Sequence, residues 1–63
     1  MNEIIETLEN IERQLHEAAE DAMKFEQGNN SAGTRVRKAM QNIKGLAQQI
    51  RLEVQAQKNG VPA

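Results

Sequence analysis

Residues 22–39 read AMKFEQGNNSAGTRVRKA, a helix-compatible run that breaks at Gly28 and Asn29 and resumes by Ala32. Glycine and asparagine tolerate the left-handed backbone at which helices end, and Asn29, Asn30 or Ser31 offers a side-chain oxygen to cap a following helix. Before the break, apolar side chains recur in steps of four and three: Ile4, Leu8, Ile11, Leu15, Ala18, Ala22 and Phe25. After it, the same steps give Ala32, Val36, Ala39, Ile43, Leu46 and Ile50, a seam that fades where Glu53 and Val54 compete for the next position. This heptad period belongs to helices, not strands. It predicts helix one over about 3–27, a turn over 28–31, helix two over about 32–58, and a frayed end over 59–63 where Asn59, Gly60 and Pro62 stop the helix.

A connection this short makes the two helices antiparallel neighbours. Folding at Gly28 then places Phe25 by Ala32, Ala22 by Val36, Ala18 by Ala39, Leu15 by Ile43, Ile11 by Leu46 and Leu8 by Ile50. Ala18, Ala19 and Ala22 facing Ala32, Gly33 and Ala39 let the backbones approach closely near the turn, while branched aliphatics widen the spacing towards the termini. One flank of the seam is polar throughout, with Thr7, Gln14, Asp21, Arg35, Asn42 and Gln49, and it allows Asp21 to meet Arg35. The other flank carries Ile5, Ala19, Met40, Ala47 and Val54, interrupted by Glu12 and Glu26.

That second flank is too apolar for an isolated hairpin. A chain of 63 residues buries only roughly 60 % of its unfolded surface, and with no Cys and one His it has neither disulfide nor metal site to staple it. Self-association is the remaining source of buried area. The expected fold is all-α: an antiparallel two-helix hairpin with a heptad seam, dimerising into a four-helix bundle. The dimer interface is expected at Ile5, Ala19, Met40, Ala47 and Val54, with Met1 and Met23 packing at its periphery; a tetramer burying the same face also fits the pattern.

Composition narrows the function classes. No apolar run approaches ~18 residues and no basic, apolar leader opens the chain, so the expectation is a cytoplasmic protein with no membrane partner. One Phe, no Tyr and no Trp remove the aromatic platforms used to stack single-stranded bases. The charges are sharply divided. Residues 1–27 hold eight acids against Arg13 and Lys24, a net of minus six, and residues 28–63 hold six bases against Glu53, a net of plus five. Such asymmetry marks either a polyanion-binding segment or two elements that pair with each other.

On helix two, Arg37, Lys44, Arg51 and Lys58 share one heptad position, with Gln41, Gln48 and Gln55 on the neighbouring one. At 1.5 Å per residue the ridge from Arg37 to Lys58 spans about 30 Å, with a base every ~10 Å. Such a ridge can follow phosphates, with the glutamines hydrogen-bonding phosphate or sugar, giving affinity without base discrimination. The plain alternative is a solvated helix face. Gly33 and Thr34 are read as the start of helix two, where free N–H groups would hold a phosphate beside Arg35 and Arg37; the alternative there is ordinary capping, with Gly33 permitting close packing.

Residues 27–39, QGNNSAGTRVRKA, with Lys24, Glu26 and the later LAQQIR and RLE, resemble the chlamydial, linker-histone-like family of small bacterial DNA-binding proteins. The GN turn, the A(G/A)xRVR element and the helix bearing Leu46 and Arg51 carry the resemblance, over roughly residues 15–58. It implies non-specific binding to the backbone of double-stranded DNA in the nucleoid, with Arg35, Arg37 and Lys38 as the matching basic positions. The DNA-binding set expected in full is Thr34, Arg35, Arg37, Lys38, Lys44, Arg51 and Lys58. The best-known members append a long Lys/Ala/Pro-rich tail that these residues lack, so the expected contact is modest and salt-sensitive, through helix two.

Catalysis has little to stand on. There is no Cys or Tyr, and Ser31 lies at the turn with no nearby His or Asp in a nucleophile arrangement. Glu12, His16 and Glu20 are spaced by four, but a bundle metal site needs Glu-x-x-His facing inward, and Arg13 occupies the position of that Glu. No enzyme activity, cofactor, metal or small-molecule substrate is expected. The rival reading is a structural or adaptor oligomerisation module, without nucleic-acid binding, whose acidic helix answers the basic helix of a neighbour.

Overall fold

Gly28 turns the chain. Its φ of +106° is a left-handed conformation, reached without penalty only by glycine, and it ends the first helix with the Gly28 N–H donating to the Phe25 carbonyl and the Asn29 N–H to that of Lys24. Asn29 follows in extended backbone and caps the second helix, its side-chain oxygen accepting from the Ala32 N–H at 3.2 Å. The computed structural model describes residues 3–60 and contains α1 (Glu3–Glu26) and α2 (Asn30–Lys58), packed on each other in a hairpin of 50 × 15 × 11 Å. Helix two therefore starts at Asn30, two residues earlier than the pattern predicts, because the first of the three candidate caps is the one used. Gly60, at φ +73°, follows the end of α2 in the same left-handed conformation. Met1 and residues 61–63, including Pro62 and part of the expected frayed end, lie outside the described residues.

The register is fixed by contacts along the whole hairpin. Near the turn the Phe25 ring lies over Gly33, so closely that a methyl group there would come within 2.5 Å of it. Next, Arg35 Nε donates to Asp21 Oδ1 at 3.0 Å, the ion pair expected from the polar flank. Farther out, Ala18 and Gln14 line one groove with Ala39 and Asn42, and Ile4 and Thr7 line another with Gln49 and Glu53. Small residues do sit where the helices are tightest: among the described residues, the buried apolar side chains are Ala18 and Ala32, at 6 % and 0 % exposure.

Helix one, however, presents a different edge from the one expected. Leu8, Leu15 and Phe25 each keep about half of their surface in solvent, at 50 %, 49 % and 49 %. Thr7, Gln14 and Asp21 are partly covered instead, beside Ile4, Ile11 and Ala18. The apolar arc of α1 runs from Ile5 through Leu8 to Ile11 and is wider than one partner helix can cover, so the seam takes one side of the arc and the leucines are left on the other. On α2 the expected positions Val36, Ala39, Ile43, Leu46 and Ile50 are all partly covered, as the heptad reading requires.

The two interior glycines of α2 behave oppositely. Gly45 has nothing within 4 Å of where a side chain would begin, so Gly45→Ala is expected to stabilise the helix by about 1 kcal/mol through propensity alone. Gly33→Ala must displace the Phe25 ring and is expected to cost about 1–3 kcal/mol. Urea titrations followed by circular dichroism measure both, and equal stability of the two variants would contradict the packing of Phe25 on Gly33.

Candidate nucleic-acid interface

The exposed face of α2 follows from its period. Residues seven apart return to nearly the same side of a helix, drifting by about 20° per heptad, so Arg37, Lys44, Arg51 and Lys58 form a slowly winding ridge. All four are exposed, as are Gln41, Gln48 and Gln55 beside them. Lys44 and Arg51 border a shallow groove floored by Gly45 and Ala47 and flanked by Gln41 and Gln48. Gly45 keeps this groove open, since no side chain rises from its centre. Lys58 stands in the last turn, where a cation also complements the helix dipole.

The remaining expected residues are distributed over other surfaces. Arg37 and Thr34 line a groove near the turn with Phe25 and Glu26, so an acid of α1 lies close to the first cation of the ridge. Arg35 and Lys38 lie on the polar flank in a groove shared with Glu17 and Asp21, and Arg35 is committed to its ion pair. The structure thus brings Lys44 and Arg51 together and sets Arg35 and Lys38 apart from them.

The phosphate pocket expected at the start of helix two is not formed by Gly33 and Thr34. With Asn30 as the first helical residue, Thr34 lies in the second turn and its N–H belongs to the helix's own ladder. Gly33 instead accommodates the Phe25 ring and so serves close packing. Among the described residues, no three His, Cys, Asp or Glu side chains gather where a metal ion could sit, and no helix is long and apolar enough to cross a membrane.

The apolar flank is the other prominent surface. Ile5 is 56 % exposed, and Met40, Val54, Ala19 and Ala47 are exposed with it. Leu8 and Leu15 extend this surface, although their four-and-three steps assign them to the hairpin seam. The signal in the sequence that places them here is the width of the α1 apolar arc, which holds Ile4 and Ile5 in adjacent positions.

The Asp21–Arg35 pair joins a half-exposed guanidinium to a carboxylate that is only 19 % exposed. A double-mutant cycle with Asp21→Asn and Arg35→Gln is expected to give a coupling of about 0.2–1 kcal/mol, the range for solvent-screened pairs. A coupling of zero would mean that the polar flank does not help set the register.

No curated protein and no solved structure matches the chain. A family model, that of histone H1-like protein Hc1, matches residues 5–60 and so takes in α2, the turn and nearly all of α1. Its name denotes a histone-like protein and not an enzyme, in keeping with a surface whose main features are a cationic ridge and an apolar flank. The chain belongs to the histone H1-like Hc1 family.

Proposed function

We infer that this protein is a non-specific DNA-binding protein of the nucleoid, acting as a dimer of helical hairpins through the exposed ridge of α2. The observation that carries the reading is the row of exposed cations, Arg37, Lys44, Arg51 and Lys58, in a chain whose family is histone-like. Arginine and lysine at this spacing neutralise phosphates and release counterions, a contribution that is blind to base sequence and falls steeply with salt. The neighbouring glutamines add hydrogen bonds to phosphate or sugar. Thr34, beside Arg37, extends the contact at the turn end of α2, while Arg35 and Lys38 offer a separate patch on the polar flank, where Arg35 also pairs with Asp21.

Dimerisation rests on surface area. A compact monomer of 7.1 kDa exposes about 4,100 Å², whereas the hairpin exposes 5177 Å². The excess exceeds the roughly 800 Å² that each partner contributes to an interface of ordinary size. Ile5, Ala19, Met40, Ala47 and Val54, joined by Leu8 and Leu15, provide the apolar face that a second hairpin covers. Pairing of hairpins through such a face gives a four-helix bundle.

Fluorescence anisotropy of a labelled duplex, titrated at several salt concentrations, tests the DNA reading. Combined Arg37→Glu, Lys44→Glu and Arg51→Glu substitutions are expected to remove most of the affinity while leaving helicity unchanged. Single neutralising changes should make the log–log salt slope shallower by about 0.9 for each phosphate that is no longer neutralised. Unaltered binding by the triple variant would sink the assignment of the ridge, and no binding by the unmodified chain at low salt would favour an assembly module instead.

A further inference from the structure

The hairpin can pair with a second copy in two ways that bury the same apolar flank. With the turns at opposite ends, α1 lies against α1 and α2 against α2. With the turns at the same end, each α1 lies against the partner's α2. We propose that the turns lie at the same end, so that each acidic α1 lies against the basic α2 of the partner. This rests on the reading of the chain as a dimer and adds how that dimer is built.

Charge decides between the two packings. Residues 1–27 carry a net of minus six and residues 28–63 a net of plus five, so turns at opposite ends would set acid against acid and base against base. Turns at the same end alternate acidic and basic helices around the whole bundle. Each exposed pair is weak and screened by salt, but the apolar area is common to both packings, so the sum of these small terms sets their order.

The hairpin's own register supplies the detail. Phe25 on Gly33, Asp21 on Arg35 and the shared groove of Ile4 with Glu53 show which heights coincide along the two helices. Carried across a two-fold axis parallel to the bundle, these heights set Glu12 within about 3 Å of the height of the partner's Ala47, between the partner's Lys44 and the partner's Arg51. By the same offset Ala19 falls near the height of the partner's Met40, a small side chain against a large one, and Ile5 near that of the partner's Val54. Glu12, which interrupts the apolar flank of α1, then has a cationic neighbour. In the other packing Lys44 would face the partner's Lys44 near the axis.

The chain has no cysteine, so Gln27→Cys, exposed beside the turn, gives a single site for a spin label. Pulsed electron–electron resonance on the full chain should give a distance under about 30 Å for turns at the same end, and above about 40 Å for turns at opposite ends. Leu15→Glu, on the flank that the dimer covers, should abolish the distance signal and leave a monomer in the ultracentrifuge. A long distance in the dimer overturns the packing. A monomer of the unmodified chain instead overturns the dimer reading on which the packing rests.

Discussion

The rest of this structure depends on how little two helices can cover of each other. Among the described residues, Ala18 and Ala32 are buried, while eight larger apolar side chains, Leu8, Leu15 and Ile5 among them, stay substantially exposed. The small residues near the turn let the backbones approach, but they contribute little apolar area, and the larger aliphatics lie where the hairpin is open on one side. Burial of apolar surface is the main favourable term in folding, so a hairpin of this kind is an incomplete core. A second copy would complete it without a disulfide or a structural metal, for which the chain has no cysteine.

The turn also divides the electrostatics. Because Gly28 separates an acidic helix from a basic one, a chain with a net charge of minus one carries two strong local fields of opposite sign. Polyanion binding depends on the local field and not on the overall balance. The cations of α2 recur at its heptad period, facing away from the seam, so packing and charge occupy different sides of the same helix. The Asp21–Arg35 pair and the nearness of Glu26 to Arg37 mark where the two fields meet near the turn.

Local rules make the turn legible in the sequence. Gly28 must take a left-handed conformation and an asparagine must cap the next helix, and both requirements are written in adjacent residues. The Asp21–Arg35 pair is legible for a different reason: once the helices are antiparallel, heptad position and height leave few partners for either side chain. The face of α1 is harder to read, because Ile4 and Ile5, Leu8 and Ile11 form an arc broader than one seam. Periodicity locates the centre of such an arc, but which edge packs is decided by contacts across the hairpin, such as Phe25 on Gly33. The anion pocket expected at Thr34 fails because Asn29, Asn30 and Ser31 are all competent caps, and use of the first moves the helix end upstream. The ridge itself follows from spacing alone, while the separation of Arg35 and Lys38 from it depends on the flank that each side chain occupies.

The most direct test of the incomplete core is the thermal unfolding midpoint, followed by circular dichroism at 222 nm across a roughly hundredfold dilution without DNA. If a second copy supplies the missing burial, the midpoint falls steadily as the protein is diluted. A midpoint independent of concentration, in a chain that sediments as a monomer, would show that the hairpin is stable alone and would contradict the account.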